Sequence, residues 1–339
     1  MKYRTLGRSG AVVSTYALGT MTFGSETAEP EAARQLAEYA ALGGNLVETA
    51  DVYSGGESER IVGRWLATLE ESARANIFLA AKGRFPVGVE ARDAGTSRRH
   101  LRRALDNTLN RLAVDHIDLY QLHAWDPLTP LEESLGFLED AVRAGKISYA
   151  GLSNFTGWQI AKASALAAGR VPLISMQPQY NLLVREVEWE IVPASIDGGL
   201  GLLPWSPLGG GWLTGKYSAS EAPTGATRLG EDPNRGVEAY ARRSVKERTW
   251  TTLAVLSDIA RTREIPLSQV ALAWLHDRPG VTSIILGARS VSQLVENLGA
   301  VDVELTADEV ARLDAASDPI AADYPYGTPG VEQRTRTVD

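Results

Sequence analysis

The sequence alternates short apolar segments with longer amphipathic ones along nearly its whole length. The short segments are rich in apolar and β-branched residues and have the length of strands. In chain order they read TYALG, NLVET, IFLAA, HIDLYQL, ISYAGL, LISMQ, GLLPW and SIILG. Each is followed, sooner or later, by a segment whose apolar residues recur at helical spacing. Regular alternation of this kind predicts a parallel sheet connected by crossover helices.

The number of these β–α units decides between two folds. About eight units in 339 residues fit a closed (β/α)8 TIM barrel. The alternative is an open, doubly wound sheet, which usually carries a Gly-x-Gly-x-x-Gly turn after its first strand. The first strand is not followed by such a turn here. We therefore predict a single barrel domain over residues 1–339.

Two segments interrupt the alternation. The first, from about 207 to 243, is rich in Gly, Ser, Glu and Arg and has little periodicity. As an insertion after the seventh strand, it would lie over the carboxyl end of the barrel, where active sites of this fold are found. The second is the tail, about 318–339, for which two states are open: it covers the same end of the barrel, or it is disordered.

The composition excludes several classes of function. A formal net charge of −8 argues against nucleic acid or an anionic membrane as the main partner. The absence of cysteine excludes a disulfide framework and a cysteine-based zinc site, and the four histidines lack metal-motif spacing. The amino-terminal MKYRTLGRSG lacks the apolar stretch of a secretory signal, and no window is long and apolar enough to span a bilayer. We expect a cytoplasmic protein of undetermined oligomeric state, without metal.

Polar residues close several successive predicted strands. At these ends, or just after them, lie Glu48, Asp51, Tyr53, Lys82, His123, Ser153, Asn154, Gln177, Trp205 and Ser206. Each residue alone is better explained as a satisfied polar group of the core. Because the carboxyl ends of parallel strands meet at one face of a barrel, the series as a whole predicts a shared site there.

A tyrosine, a lysine, a histidine and an acid together indicate proton transfer. The ordinary pKa of tyrosine, about 10, is too high for an efficient acid near neutral pH. A nearby ammonium group stabilises phenolate and lowers that pKa, and a carboxylate would keep the lysine charged and oriented. A neutral histidine can donate a hydrogen bond to a developing alkoxide. Such a set would protonate a carbonyl oxygen while hydride arrives at the carbon.

A series of short motifs occurs in an order and spacing typical of one enzyme family. The motifs are LGTMTFG, ETADVY, GRWL, AAKG, DHIDLYQLHAWD, GKISYAGLSNF, QPQYNLL, PWSPLGGGWLTGKY and LGARSVSQLVENLGA. By these, nearly the whole chain resembles the aldo-keto reductases, and most of all the branch of bacterial general reductases and potassium-channel β-subunit-like proteins. The resemblance implies reduction of an aldehyde or ketone with a nicotinamide dinucleotide.

The resemblance also implies a catalytic set of Glu48, Tyr53, Lys82 and His123. In it, Tyr53 is the general acid, Lys82 lowers the pKa of Tyr53, and His123 orients the carbonyl. The family has aspartate at the position of Glu48. Because Glu48 is only one methylene longer, we expect it, rather than Asp51, to pair with Lys82.

The cofactor site is implied in the same way. Ser153, Asn154 and Gln177 would hold the carboxamide, whose edge needs both donors and acceptors. Trp205 would stack on the nicotinamide ring. The pyrophosphate would be lined by Ser206, Pro207, Leu208 and Gly210. The other cofactor-binding candidates are Gly19, Thr20, Met21, Lys216, Gly287, Ala288 and Glu296.

The segment GARSVSQLVEN indicates which dinucleotide is used. Ser290 and Gln293 have capping-box spacing, and a helix N-terminus attracts anions. Arg289, Gln293 and Asn297 are four residues apart, so we expect them on one helical face. An arginine beside a helix N-terminus suits the 2′-phosphate of NADPH, which we therefore predict in preference to NADH.

Three functions remain open from the sequence. The first is an NADPH-dependent carbonyl reductase. The second is a nicotinamide-binding regulatory subunit with little turnover, which the glutamate at position 48 supports slightly. The third is a lyase that forms a Schiff base at Lys82. We expect Trp125 and Trp212 to shape the pocket for a small carbonyl substrate.

Overall fold

The computed structural model describes residues 1–225 and 227–335, whose strands form two sheets. The first sheet is a hairpin of β1 (Tyr3–Thr5) and β2 (Val12–Ser14). The second contains β3 (Tyr16–Gly19), β4 (Leu46–Glu48), β5 (Phe78–Gly83), β6 (Ile117–Leu122), β7 (Ile147–Ser153), β8 (Leu173–Gln177), β9 (Gly201–Leu202) and β10 (Ile284–Leu286). The eight strands of this second sheet are those that the sequence predicts.

The larger sheet is parallel and closes on itself. The strands follow one another in chain order from β3 to β9, and β10 pairs with β3. Between β9 and β10, the amide of Ile285 donates to the carbonyl of Pro204 at 2.9 Å, and the amide of Thr282 donates to the carbonyl of Leu202 at 2.9 Å. These hydrogen bonds complete the cylinder, so the predicted (β/α)8 barrel is confirmed.

Helices connect the strands and cover the outside of the barrel. They are α1 (Glu29–Ala41), α2 (Glu57–Leu66), α3 (Glu71–Ala75), α4 (Arg98–Leu112), α5 (Leu131–Arg143), α6 (Gly157–Ala167), α7 (Ile191–Asp197), α8 (Arg228–Glu231), α9 (Tyr240–Arg243), α10 (Glu247–Arg263), α11 (Leu267–His276), α12 (Val291–Leu298), α13 (Ala307–Ser317) and α14 (Thr328–Glu332). In α4, for example, Leu101, Leu105 and Leu112 are buried at helical spacing, so one face packs on the sheet. None of the helices within residues 1–225 and 227–335 combines the length and apolar character of a bilayer-spanning segment.

The interior of the barrel is a small core of its own. Its buried residues include Leu46, Ala80, Leu119 and Ile285, and the larger core lies between the strands and the surrounding helices. Because side chains alternate along a strand, every second residue of β4, β5 and β6 points into the barrel. This alternation positions the residues at the carboxyl ends of the strands.

The hairpin of β1 and β2 closes the opposite end of the barrel. Leu6, in its turn, has no exposed surface and packs into the interior core. Gly7 has a φ of +57°, and a Cβ there would lie 2.4 Å from the carbonyl oxygen of Ile174. Only glycine fits such a close approach. The sequence analysis missed this hairpin, because three-residue strands are too short to show a periodic pattern.

The insertion and the tail both lie at the carboxyl end of the barrel. The insertion contains α8 and α9, so it is more regular than the sequence indicates. In the tail, Tyr326 donates a hydrogen bond to Glu190 and stacks on Trp189 with ring centroids 5.3 Å apart. Both partners belong to the connection that follows β8. The described part of the tail therefore covers this end of the barrel, whereas residues 336–339 lie outside the described residues.

Candidate active site

Strand alternation directs an acid and a lysine to the same point. Glu48 lies two residues after the inward-facing Leu46 on β4, and Lys82 lies two residues after the inward-facing Ala80 on β5. Both side chains therefore point into the barrel at the carboxyl ends of neighbouring strands. His123 directly follows β6, the next strand in the sheet.

Glu48 and Lys82 form a buried ion pair. The ammonium group of Lys82 donates to Oε1 of Glu48, and it also donates to the carbonyl oxygen of Thr49 at 2.8 Å. Lys82 has no exposed surface, and Glu48 is almost completely buried. Asp51, in contrast, makes no side-chain hydrogen bond within the described part of the chain. Glu48 is thus the acid that contacts Lys82, and this buried, paired lysine offers no exposed amine for a Schiff base.

The hydroxyl of Tyr53 joins this pair. Tyr53 begins a short 3₁₀ turn after β4, and its hydroxyl donates to Oε1 of Glu48 at 3.3 Å. Nζ of Lys82 lies 4.8 Å from the centroid of the Tyr53 ring. The rings of Tyr53 and His123 meet edge to face, with centroids 6.0 Å apart. The structure therefore brings all four predicted catalytic residues together.

Burial controls the protonation of these groups. Loss of hydration raises the pKa of Tyr53, and the charge of Asp51 raises it further. Burial lowers the pKa of Lys82, and burial followed by the charges of Lys82 and Arg84 lowers the pKa of His123. Tyr53 is therefore protonated and His123 neutral near pH 7. The expected lowering of the pKa of Tyr53 by Lys82 is not found, because desolvation outweighs the charge of a lysine already paired with Glu48.

A second group of buried acids lies next to this set. Asp51 is buried, and neither of its carboxylate oxygens has a partner among the described residues. Burial, followed by the charge of Glu59, raises the pKa of Asp51 to about 7. Glu59 has no exposed surface and is paired with Arg111. The sequence analysis assigned no role to Glu59 or Arg111, and their spacing gave no signal that they would meet.

Three of the predicted carboxamide-binding residues are adjacent. The Ser153 hydroxyl donates to the carbonyl of Gln177 at 3.0 Å. The Asn154 amide donates to the carbonyl of His123 at 3.0 Å, and its oxygen accepts from the Trp205 indole at 3.1 Å. Nε2 of Gln177 is buried without a partner within the described residues. A free buried donor fits the oxygen of a nicotinamide carboxamide, so these residues suit the group that the sequence predicts.

The residues predicted for the pyrophosphate form a turn after β9. Ser206 and Gly210 have φ angles of +53° and +66°, and Pro207 and Leu208 lie between them. The amide of Asn181 donates to the carbonyl of Ser206 at 2.8 Å, which fixes the turn. Conformations of this kind are easiest for glycine. Within the turn, the amides of Gly209 and Gly211 donate to the carbonyls of Ser206 and Leu208 at 2.9 and 3.0 Å.

The arginine predicted for the 2′-phosphate is paired with two acids. Nε of Arg289 donates to Glu26 at 2.7 Å, and its terminal nitrogens donate to both oxygens of Glu231 at 3.0 and 2.8 Å. Glu26 also binds Arg235. Arg228 lies in the insertion of residues 207–243, as Glu231 does. Burial lowers the pKa of Arg228, and the Nε of Arg228 is buried without a partner in the described chain. The sequence analysis missed Glu26, Glu231, Arg228 and Arg235, because loop packing, not local spacing, brings them to Arg289.

Ser290 caps the start of α12, but the predicted capping box is only half formed. The hydroxyl of Ser290 accepts a hydrogen bond from the amide of Gln293 at 3.3 Å. The amide of Arg289 donates to Oε1 of Gln293 at 2.9 Å. Gln293 and Asn297 lie four residues apart in α12, whereas Arg289 precedes the helix, so the expected common face is wrong for Arg289. The reason is that Arg289 lies in the loop before the cap.

Comparison with known proteins identifies the family. A model described as "Aldo/keto reductase family" matches residues 16–318, a span that includes every strand of the barrel. This chain belongs to the aldo/keto reductase family. Family membership supports an oxidoreductase that acts on carbonyl groups and uses a nicotinamide cofactor.

Curated relatives of this aldo/keto reductase cover almost its full length. It is 37% identical over 316 residues to "Uncharacterized oxidoreductase YrpG" of Bacillus subtilis (strain 168), covering 90% of this chain and 92% of that protein. It is 35% identical over 325 residues to "Probable voltage-gated potassium channel subunit beta" of Oryza sativa subsp. japonica, covering 93% and 96%. It is 32% identical over 346 residues to "Versiconal hemiacetal acetate reductase" of Aspergillus parasiticus, covering 95% and 98%.

The two tryptophans predicted for the substrate pocket of this aldo/keto reductase differ in position. Trp125 is half-buried, with ring centroids 5.4 Å from Phe155 and 5.2 Å from the exposed Trp158. Trp212 has no exposed surface, and its indole donates to the carbonyl of Glu238 at 3.0 Å. Trp212 therefore does not line a pocket, and the prediction for it is wrong. It is the centre of an aromatic cluster that holds the insertion together.

The remaining cofactor-binding candidates differ in their burial and in their contacts. Thr20 is buried and donates to the carbonyl of Glu48 at 3.0 Å, whereas Met21 is exposed. Glu296 accepts from Ser268 at 3.1 Å. Loss of hydration, and then the charge of Arg289, lowers the pKa of Lys216. Gly19, Gly287 and Ala288 lie at or just after the ends of β3 and β10.

Proposed function

We propose that this aldo/keto reductase reduces an aldehyde or ketone to an alcohol with NADPH, using Tyr53 as the general acid. The observation that carries the proposal is the convergence of the Tyr53 hydroxyl, the His123 ring and the Lys82–Glu48 pair at the ends of three adjacent strands. The bound dinucleotide would supply hydride to the carbonyl carbon.

The residues divide the work of proton transfer among them. Burial raises the pKa of Tyr53, so the phenol holds its proton near pH 7 and would give it to the carbonyl oxygen only as negative charge develops there during hydride transfer. His123 would donate a hydrogen bond to the same oxygen from its neutral ring. The ammonium group of Lys82, 4.8 Å from the centre of the Tyr53 ring, would stabilise the phenolate that remains. Glu48 keeps the lysine in place.

The residues that would hold the dinucleotide run from the carboxyl end of β7 to the start of α12, and we call this line of residues the cofactor groove. Ser153, Asn154 and the free amide of Gln177 would bind the carboxamide, with Trp205 stacked on the ring. The turn of Ser206, Pro207, Leu208 and Gly210 would bind the pyrophosphate. Arg289 would bind the 2′-phosphate, which then replaces a carboxylate on its guanidinium group. NADH has no 2′-phosphate to take the place of that carboxylate, and we propose NADPH in preference to NADH for this reason.

The test is NADPH consumption by the purified protein with a panel of aldehydes and ketones. Saturable turnover above the background rate, lost in Tyr53→Phe, supports the proposal. Binding of NADPH is measured separately by fluorescence titration. Tight binding with no turnover of any carbonyl would refute the reductase.

A second function is a nicotinamide-binding regulatory subunit with little turnover. Two relatives, each 35% identical, from Oryza sativa subsp. japonica and Arabidopsis thaliana, have names that describe a probable potassium channel subunit beta. The contact between Glu48 and Tyr53 also favours slow proton transfer, because the carboxylate already accepts from the hydroxyl. This second function predicts tight binding of both NADPH and NADP with no saturable carbonyl reduction.

A further inference from the structure

Arg84 lies beside the proposed reaction site. It follows β5 and comes two residues after Lys82. Its guanidinium carbon is 5.1 Å from the centroid of the Phe85 ring, and that ring meets the His123 ring edge to face with centroids 4.5 Å apart. A terminal nitrogen of Arg84 donates to the carbonyl of Trp125 at 3.3 Å. The positive charge is therefore held one aromatic ring away from His123, between the Phe85 ring and the backbone carbonyl of Trp125.

Arg84 has little to neutralise its charge. Within the described residues its one side-chain hydrogen bond is the long one to Trp125, and its buried Nε has no partner. Asp126 is near enough for Arg84 to lower its pKa, yet its oxygens accept from Thr96, Leu128 and Thr129. A half-buried charge without a paired acid is costly, so such groups are normally neutralised.

Two other arginines of the same chain, unlike Arg228, show the usual arrangement. Arg243 is hydrogen-bonded to Glu238 at 2.7 Å, and Arg111 is paired with Glu59. Arg84 differs from both in lacking a carboxylate. Its position is also set by the backbone, which has a φ of +149° and whose carbonyl accepts from the amide of Gly95 at 2.8 Å. Side chains on a strained backbone are concentrated at sites that hold ligands.

We infer that Arg84 determines substrate specificity by binding a carboxylate on the substrate. The inference rests on the proposed reductase function and names its substrate class: aldehydes or ketones that carry a carboxylate on an apolar or aromatic body. The fork of donors on a guanidinium group matches a carboxylate in two parallel hydrogen bonds. Phe85, Trp125 and the exposed Trp158 would contact the apolar body.

The experiment compares an acid with its neutral ester. Wild-type protein and Arg84→Gln are assayed by NADPH consumption with para-carboxybenzaldehyde and with its methyl ester. We expect the wild type to prefer the acid in kcat/KM by about 10- to 100-fold, the size of a hydrogen bond to a charged group. In Arg84→Gln the ratio of acid to ester falls to about one, mainly through KM, and Arg84→Lys restores part of it.

A matched control removes an arginine far from the site. Arg102 is exposed on α4, so Arg102→Gln should keep the wild-type ratio of acid to ester. Because the ratio is taken within one protein, partial loss of folding in a variant does not change it. The wild-type ratio alone already tests the inference without any variant.

The outcomes separate this inference from the function on which it rests. Reduction of the ester and the acid with equal kcat/KM by the wild type would overturn the role of Arg84 and leave the reductase intact. A preference for the acid that survives in Arg84→Gln would also overturn it. No turnover of any carbonyl would overturn the reductase, and the inference with it.

Discussion

Replacing Glu48 by glutamine tests which acid supports the buried lysine. The change keeps the size of the side chain and one oxygen but removes the charge. In the structure Lys82 has no exposed surface, and its ammonium group has two acceptors, Glu48 and the carbonyl of Thr49. In Glu48→Gln the ammonium group would be left in the barrel with neutral acceptors only.

The expected loss of stability is large and depends on pH. Removing one partner of a buried ion pair costs about 3–5 kcal/mol while the other partner stays charged. Burial already lowers the pKa of Lys82 in the folded protein, and loss of Glu48 lowers it further. Between the lowered pKa of Lys82 in the folded variant and the ordinary pKa of lysine, about 10.4, the lysine holds its proton in the unfolded chain but not in the folded one. The free energy of unfolding of the variant therefore rises with pH over that window, by at most about 1.4 kcal/mol per pH unit.

Asp51→Asn is the matched variant, and its effect has the opposite sign, because it should stabilise the protein where Glu48→Gln destabilises it. The pKa of Asp51 is raised to about 7 in the folded protein, compared with about 3.9 in an unfolded chain. The folded chain thus holds the extra proton between these values, and stability falls as pH rises through that window. Asparagine removes this cost, so the gain in stability is larger at pH 8 than at pH 5, whereas the deficit of Glu48→Gln is largest at the lower pH.

The assay is urea unfolding of both variants and the wild type at several values between about pH 5 and 9. A double variant, Glu48→Gln with Lys82→Met, should recover most of the lost stability, because it leaves no unpaired charge. It should show no carbonyl turnover. A flat pH profile for Glu48→Gln, or a large low-pH deficit in Asp51→Asn instead, would refute the assignment of Glu48 as the partner of Lys82.

Three further predictions concern the proton donor and the adenosine end of the cofactor groove. Tyr53→Phe should lower kcat about 10²- to 10⁴-fold with unchanged NADPH affinity in a fluorescence titration, and retained kcat would remove Tyr53 from the acid role. Arg289→Ala should weaken NADPH about 10-fold more than NADH, because only NADPH has the extra phosphate, and equal losses would contradict this. Glu231→Gln should tighten NADPH severalfold and leave NADH nearly unchanged, because it removes an anion from Arg289. A weaker affinity for NADPH in Glu231→Gln would show that Glu231 supports the groove and does not compete with phosphate.

The parts of the site that follow from local alternation could be predicted from the sequence. Glu48 and Lys82 lie two residues beyond buried inward-facing residues, so their direction is fixed by the strand itself. The cap of α12 is likewise a short-range pattern, with Ser290 and Gln293 three residues apart. Each strand end could therefore be assigned without knowledge of the rest of the chain.

The parts that depend on loop packing could not be predicted. The partners of Arg289 come from the loop after β3 and from the insertion, and no spacing in the sequence connects Glu26 with Glu231. In the sequence, Trp212 cannot be distinguished from a tryptophan that lines a pocket. In the structure its own insertion covers it, and its ring stacks on Tyr240 with centroids 5.6 Å apart. Burial of this kind is decided by how a loop folds back, which periodicity does not describe.

The pKa of Tyr53 is raised, and the geometry of the Lys82–Glu48 ion pair explains why the lysine does not lower it. Glu48 offsets part of the charge of Lys82 at closer range, so the ammonium group lowers the pKa of the phenol less than an unpaired one would. Desolvation then dominates and keeps the phenol protonated, which is the form a reductase needs before hydride transfer. The same Oε1 of Glu48 accepts from both Lys82 and Tyr53, so a substrate oxygen must take the phenol hydrogen bond away from that carboxylate. Glu48 would thus compete with the substrate oxygen for the hydrogen of the phenol, and this competition would slow proton transfer.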